Sequence, residues 1–223
     1  MNREQISLLV LSIFYILVSL ISLYFCFINH HKIRKIFKAI PTLILIILLI
    51  ILLYKHPLIY LALIFGLLGD LFLLSFNKKM FLIGGICFLI EHILNLHIVF
   101  LINNTSFPLY LLMIYFPLII LIFVGGILIF KKSIKPYFLI FGSIYASTLL
   151  LNFISGIILT SFTHNYLLLL YVFGYFIFMV SDSFVAYKRF IKPFNKVQFL
   201  IMSTYYLAQY LLYLYFILVL AIK

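Results

Sequence analysis

The sequence predicts an all-α membrane protein, a single bundle of eight transmembrane helices over residues 1–223. Apolar residues make up 67% of the chain and charged residues 9%, whereas an average globular chain is roughly half apolar and about a quarter charged. The apolar residues form runs that approach or exceed the roughly 20 residues a membrane-spanning helix needs. Short polar segments hold most of the charges. Too few polar side chains remain to cover a water-facing surface, which excludes a soluble domain.

The eight predicted spans are residues 6–28, 39–54, 58–76, 80–102, 109–130, 136–160, 166–187 and 197–222. The second is short, so it is expected to borrow flanking residues or to lie where the bilayer is thin. Five of the six prolines fall near predicted helix starts, where the first-turn N–H groups have no intrahelical partner and the missing donor costs least. Pro117 is inside the fifth span and predicts a kink there.

Basic residues set the predicted orientation. The loops after the first, third, fifth and seventh spans hold 13 of the 16 Lys and Arg residues. The positive-inside rule places these loops in the cytoplasm. Both termini are then expected on the exoplasmic side. The basic residues that flank the spans explain the net charge of +12, so no nucleic-acid partner is expected. The Ile-, Lys-, Asn- and Phe-rich usage is typical of AT-rich bacterial genomes and predicts a bacterial plasma membrane location.

Acidic residues are rare, and most lie inside predicted spans. The sequence has four, of which Asp70, Glu91 and Asp182 fall in apolar segments. An ionisable side chain at a helix centre costs at least about 2.5–3.5 kcal/mol on insertion scales, and such residues are usually functional. We therefore expect these three to face the bundle interior. Cys26 and Cys87 are far apart in apolar runs, which predicts neither a disulfide framework nor a metal site.

Helix geometry predicts where the polar groups meet. At a rise of about 1.5 Å per residue, Asp70 and Asp182 lie about 10 Å and about 9 Å along the helix from the cytoplasmic loops that follow them. Polar side chains of the fourth, sixth and eighth spans are expected to converge with them on one cavity open to the cytoplasmic leaflet. These side chains are Glu91, His92, Thr148, Asn152, Tyr205 and Gln209. Adjacent helical residues point about 100° apart, so only Glu91 or His92 is expected to enter the cavity.

Simpler roles compete with these assignments. Single polar residues in membrane helices often only bond one helix to another, which applies to Asn152, Tyr205 and Gln209 taken alone. The many Tyr and Phe residues are expected mostly to face lipid or to anchor the interface. Gly66 and Gly69 indicate close helix packing. No P-loop, Rossmann turn or metal-ligand spacing occurs in the sequence, so no metal or cofactor is expected.

A weak internal repeat relates the third and fourth spans to the seventh and eighth. The matching positions are Asp70 and Asp182, residues 81–83 and 199–201, and Glu91 and Gln209. A parallel four-plus-four repeat would bring the two aspartates together across a pseudo-two-fold axis along the membrane normal.

Five short motifs stand in a fixed order along the chain: residues 38–42, 66–70, 88–94, 180–190 and 204–209. Together they resemble the YhhN-like membrane proteins, the lysoplasmalogenase family, over essentially the whole chain. The resemblance implies an eight-span bundle that hydrolyses the vinyl ether bond of a lysoplasmalogen. The expected products are a fatty aldehyde and a glycerophospho-ethanolamine or -choline, and the expected partners are the lysophospholipid substrate and membrane lipids.

The implied reaction fits the buried acids. A protonated vinyl ether becomes an oxocarbenium ion that water captures, which requires a general acid, a nearby negative charge and a base. Two carboxyl groups suffice, as in glycosidases, and Asp70 and Asp182 are expected to be this pair, with either as the acid. The other expected catalytic groups are His92, Tyr205 and Gln209. The expected substrate-binding groups are Glu91, Asn152, Ser181, Lys78, Lys188 and Arg189. The three basic residues among them are expected to bind the phosphate.

Two other classes of protein fit these features less well. A small transporter would also place buried acids in a pseudo-symmetric bundle, as a proton relay. Such a transporter needs a route open to both faces, and the exoplasmic half of the predicted bundle is almost wholly apolar. A purely structural membrane protein would leave three buried acids unexplained.

Overall fold

The computed structural model describes residues 3–28, 38–52, 56–75, 77–106, 108–130 and 134–222. These residues form eight helices and no strand: α1 (Arg3–Phe27), α2 (Ile40–Leu52), α3 (Pro57–Phe72), α4 (Lys78–Ile102), α5 (Tyr110–Phe130), α6 (Pro136–Thr163), α7 (Leu168–Phe190) and α8 (Val197–Ile222). Each predicted span corresponds to one helix, so the all-helical fold is confirmed.

Six of these helices are long and apolar enough to cross a bilayer: α1, α4, α5, α6, α7 and α8. The shorter apolar helices are α2, as expected, and α3. The prediction that the third span runs to residue 76 is wrong, because α3 ends at Phe72 and the chain turns through bonds from Leu74 to Leu71 and from Ser75 to Phe72. Such i→i+3 bonds tighten the end of a helix. Helices of this length and composition are those of an integral membrane protein.

Local signals in the sequence fix several helix starts. Pro57 and Pro136 open α3 and α6, at the position where proline is best tolerated. Asn77 caps α4, because its side-chain oxygen accepts a hydrogen bond from the Lys79 backbone N–H at 3.0 Å. Pro117 lies inside α5.

The helix α8 is central to the bundle. It packs most extensively on α7 and also contacts α1, α2 and α4, while α3 pairs with α4 and α6 pairs with α7. By contrast, α5 packs mainly on α6, and its outer residues are exposed, Met113 by 79% and Leu128 by 70%. Exposed aliphatic side chains of this kind are expected where a helix faces lipid.

Two glycines let α3 approach α4 closely. A Cβ atom on Gly66 would lie 2.6 Å from Glu91 Oε2, and one on Gly69 would lie 2.7 Å from the Phe88 ring. Larger residues at either position would displace these side chains. The predicted close packing at both glycines is confirmed.

The expectation that tyrosines mostly face lipid is wrong for most of those of α7 and α8. Tyr171, Tyr175, Tyr213 and Tyr215 are among the largest fully buried side chains of the described chain. A phenol hydroxyl in hydrocarbon has no hydrogen-bond partner, which is costly. Inside the bundle it can bond to neighbouring helices.

The orientation of the bundle and the internal repeat remain predictions. Several of the basic residues that set the orientation lie outside the described residues: Lys32, Arg34, Lys35, Lys131 and Lys132.

Candidate functional site

A cavity of about 330 Å³ lies between α3, α4, α7 and α8, and we call it the polar cavity. Its volume lies in the range of small-molecule sites. Both predicted catalytic aspartates line it. The polar side chains of its wall are Lys38, Asp70, Ser75, Ser181, Asp182, Lys188, Arg189, Gln198 and Tyr205.

Asp70, two residues before the end of α3, is 1% exposed. Its Oδ2 accepts hydrogen bonds from the hydroxyls of Thr42, at 3.0 Å, and Tyr205, at 2.8 Å. The Lys38 ammonium forms an ion pair with Asp70 Oδ1 at 3.1 Å and also donates to the Asp70 backbone carbonyl at 3.2 Å. All three neighbours are donors. An ionised carboxylate only accepts hydrogen bonds, so these surroundings suit the charged form of Asp70.

Asp182, on α7, has different surroundings and is only half-buried. The Tyr145 hydroxyl, from α6, donates to its Oδ2 at 2.5 Å. The same hydroxyl lies 3.3 Å from His92 Nε2, and His92 Nδ1 lies 3.3 Å from the Tyr175 hydroxyl. Because Tyr145 gives its proton to Asp182, His92 Nε2 donates to Tyr145 and Nδ1 accepts from Tyr175. His92 is thus linked to Asp182 through Tyr145, from behind the cavity wall.

Glu91 lies in a second buried chain of hydrogen bonds. It is 0% exposed, and its Oε1 accepts from Gln209 Nε2 and from the Tyr213 hydroxyl, both at 3.0 Å. Gln209 Nε2 also lies 3.3 Å from the Tyr205 hydroxyl, so these two residues share a face of α8. An amide nitrogen only donates, so the Tyr205 oxygen accepts from Gln209 and directs its own proton to Asp70.

Asn152 joins three helices. Its Nδ2 donates to the backbone carbonyls of His92, at 3.2 Å, and Thr148, at 2.8 Å, and its Oδ1 accepts from the Tyr171 hydroxyl at 2.5 Å. It is 0% exposed. These contacts hold α6 to α4 and α7, which is the simpler, interhelical role.

Two cations lie on the wall of the polar cavity near the end of α7. The Lys188 ammonium donates to the side-chain oxygen of Gln198, and the Arg189 guanidinium lies 4.9 Å from the centre of the Phe81 ring. They place two positive charges on this part of the wall, and Arg and Lys side chains are the usual binders of phosphate.

Six of the eleven predicted site residues line the polar cavity: Asp70, Ser181, Asp182, Lys188, Arg189 and Tyr205. The Ser181 hydroxyl donates to the Ile201 carbonyl at 3.1 Å, so Ser181 also ties α7 to α8. Four more, Glu91, His92, Asn152 and Gln209, are buried behind the wall. The expectation that Glu91 or His92 enters the cavity is therefore wrong. Lys78 is the first residue of α4 and is exposed outside the cavity lining.

Three side chains that contact the two aspartates were not predicted from the sequence. Lys38 was interpreted only as a membrane flank, but its ion pair with Asp70 places it in the site. Thr42, four residues later, contacts the same carboxylate. Their only signal was their place in a motif that resembles the family. Tyr145 is one of 17 tyrosines, and its position relative to Asp182 depends on how α6 and α7 pack.

Comparison with known proteins identifies the family. A model of the YhhN family matches residues 33–216, most of the chain. No curated protein and no solved structure shows significant similarity to the chain. Membership of this family, together with the long apolar helices, is consistent with a membrane-associated, lysoplasmalogenase-like role. The chain belongs to the YhhN family.

Proposed function

We propose that the chain hydrolyses the vinyl ether bond of lysoplasmalogens in a bacterial plasma membrane, releasing a fatty aldehyde and a glycerophospho-ethanolamine or -choline. The observation that carries this proposal is a pair of aspartates on one cavity with different surroundings. Asp70 is buried among donors, whereas Asp182 is half-buried beside Tyr145. Enzymes divide acid and base work between two carboxyl groups by giving them different environments.

The proposed reaction needs only water as co-substrate. A proton adds to the β-carbon of the vinyl ether, and the electron pair of the double bond forms the new C–H bond. The positive charge is then shared by the α-carbon and the ether oxygen. Water adds to the α-carbon and loses a proton to a base, and the resulting hemiacetal collapses to the aldehyde and the free alcohol. General acid–base catalysis contributes about 10²–10⁴-fold to such a step, and fixed charge directed at the cation contributes further.

The contacts of the two aspartates support different roles. Asp70 accepts hydrogen bonds from Thr42 and Tyr205 and pairs with Lys38, so it suits a fixed negative charge that stabilises the oxocarbenium ion. Asp182 has Tyr145 as its hydrogen-bond partner among the described residues, which leaves its second oxygen to the substrate. We therefore assign proton donation to Asp182. After donation, the same carboxylate can accept the proton of the attacking water, as in retaining glycosidases.

The charged wall near Lys188 and Arg189 supports a phospholipid substrate. A lysoplasmalogen carries one phosphate, and charge-assisted hydrogen bonds to phosphate are roughly twice as strong as neutral ones. Both cations lie on the same cavity as the two aspartates, so a bound headgroup there would keep the ether bond near the acids.

The test is aldehyde release by the purified protein in detergent. Lysoplasmenyl-ethanolamine and lysoplasmenylcholine are compared with ester-linked lysolipids of the same chain length. We expect aldehyde from the vinyl ethers only. In D₂O the aldehyde should carry one deuterium on carbon 2, because that carbon receives the catalytic proton. A protein that releases no aldehyde, or cleaves ester and vinyl ether lipids equally, would contradict the proposal. A transporter would show no chemical turnover.

A further inference from the structure

A second cavity, of about 380 Å³, lies between α4, α5, α6 and α7, and we call it the chain cavity. It adjoins the polar cavity, because five residues line both: Leu73, Phe81, Phe88, Asp182 and Val185. Of these five, only Asp182 is polar. The proposed proton donor therefore stands where the two cavities meet.

The chain cavity is apolar apart from the region of this junction. Its polar lining side chains are Tyr145, Asp182 and Ser183. The Tyr145 hydroxyl is bonded to Asp182, and the Ser183 hydroxyl donates to the Met179 carbonyl at 2.7 Å. The remaining lining consists of Phe, Leu, Ile, Val, Met, Ala and Gly. Such a wall offers nothing to a phosphate or a sugar, but it suits a hydrocarbon chain.

We propose that the chain cavity binds the alkenyl chain of the substrate, so that the vinyl ether bond lies beside Asp182. This inference rests on the proposed function. A lysoplasmalogen is a phosphorylated headgroup and a single hydrocarbon chain, joined through the vinyl ether. When the headgroup lies in the polar cavity near Lys188 and the chain lies in the chain cavity, the bond that joins them falls at the junction. One chain cavity matches a lipid with one chain.

A glycine on α6 allows the chain cavity to be shortened without a clash. Gly142 lines it, and a Cβ atom built on Gly142 would have no other atom within 4 Å. A leucine there would extend into open space, and leucine has a higher helix propensity than glycine. Gly125 on α5 is a matched control, because it also has nothing within 4 Å of a built Cβ and does not line the chain cavity.

The first measurement is a series of lysoplasmalogens with alkenyl chains of 8 to 18 carbons, at about two-carbon steps. Each buried methylene contributes about fourfold to binding (about 0.8 kcal/mol). If Gly142→Leu excludes two methylenes, the ratio of kcat/KM for the longest chain to that for the shortest should fall about 15-fold. The ratio in Gly125→Leu should match the wild type. An unchanged ratio in Gly142→Leu would overturn the proposal.

The second measurement does not depend on hydrolysis. A non-hydrolysable alkyl ether lysophosphatidylcholine with a diazirine in its chain is photolysed with the wild type and both variants, and labelled residues are identified by mass spectrometry. We expect labels on Phe141, Leu149 or Met179, reduced at least fivefold in Gly142→Leu only. Labelling confined to lipid-facing positions such as Met113, unchanged by Gly142→Leu, would overturn the proposal. Specific labelling without aldehyde release would support the chain cavity and overturn the proposed hydrolysis.

Discussion

The ion pair between Lys38 and Asp70 can be broken by a single substitution. The two groups are 3.1 Å apart, and their side chains are 13% and 1% exposed. Lys38→Met keeps most of the aliphatic stem and removes the charge. Removing one partner of a buried ion pair costs about 3–5 kcal/mol, because the other charge is left uncompensated. Lys38 retains some contact with solvent, so we expect the lower end of this range, about 3 kcal/mol.

The same substitution should impair the reaction. If Lys38→Met leaves Asp70 uncharged, the site loses the negative charge that stabilises the oxocarbenium ion, and removing one such electrostatic group costs about 100- to 1,000-fold in kcat. In the aldehyde-release assay, Lys38→Met should lose at least about 100-fold in kcat/KM, and Lys38→Arg, which keeps the charge, should lose much less. Lys135→Met is the control, because Lys135 is exposed at the start of α6 and should leave activity unchanged.

A double variant separates loss of charge from loss of folding. Each protein is heated in detergent, and the fraction that stays folded is measured by size-exclusion chromatography. Lys38→Met should unfold at a lower temperature than the wild type. Lys38→Met combined with Asp70→Asn should recover much of that stability, because no uncompensated charge remains. Activity should recover in neither. Lys38→Met with activity within threefold of the wild type, or a double variant no more stable than Lys38→Met, would refute this reasoning.

Tyr145→Phe removes the hydrogen bond that stabilises the Asp182 carboxylate as it gives up its proton. A bond to a charged group is worth about 1.5–3 kcal/mol, so kcat should fall about 10- to 150-fold; an unchanged kcat would exclude the role assigned to Tyr145. Asn152→Ala should lower the unfolding temperature, since buried partners lose their bonds, but should keep kcat within about fivefold. A topology reporter fused after Lys223 should report the exoplasmic side, and a cytoplasmic signal would contradict the predicted orientation of an eight-span bundle.

Much of the fold could be predicted from hydropathy. A membrane helix satisfies its backbone internally, so a long apolar run has few alternatives to a helix. Asp70 and Asp182 could be predicted as site residues for a related reason. A charged side chain inside an apolar run is costly, so its presence there indicates a function. The end of α3 was placed too late, because Leu74 is as apolar as the helix before it and only its i→i+3 bond marks the turn.

The partners of the aspartates could not be predicted, for physical reasons. Lys38 stands at the edge of an apolar run, where the positive-inside rule already accounts for a basic residue. Tyrosine is compatible with both the interface and the core, so neither Tyr145 nor Tyr175 stands out in the sequence. His92 was expected near the two aspartates, but its link to Asp182 through Tyr145 depends on how three helices pack.

The most direct test of the central claim is the turnover of lysoplasmalogen by Asp70→Asn, Asp182→Asn and the double variant. Asparagine keeps the volume and removes both ionisation and proton donation. Each single variant should lose at least about 100-fold in kcat while remaining monodisperse in detergent, since general acid catalysis alone is worth about 10²–10⁴-fold. The double variant should lose little more than the worse single variant, because residues that act as a unit are not additive. Near wild-type turnover in both single variants would contradict the proposed mechanism.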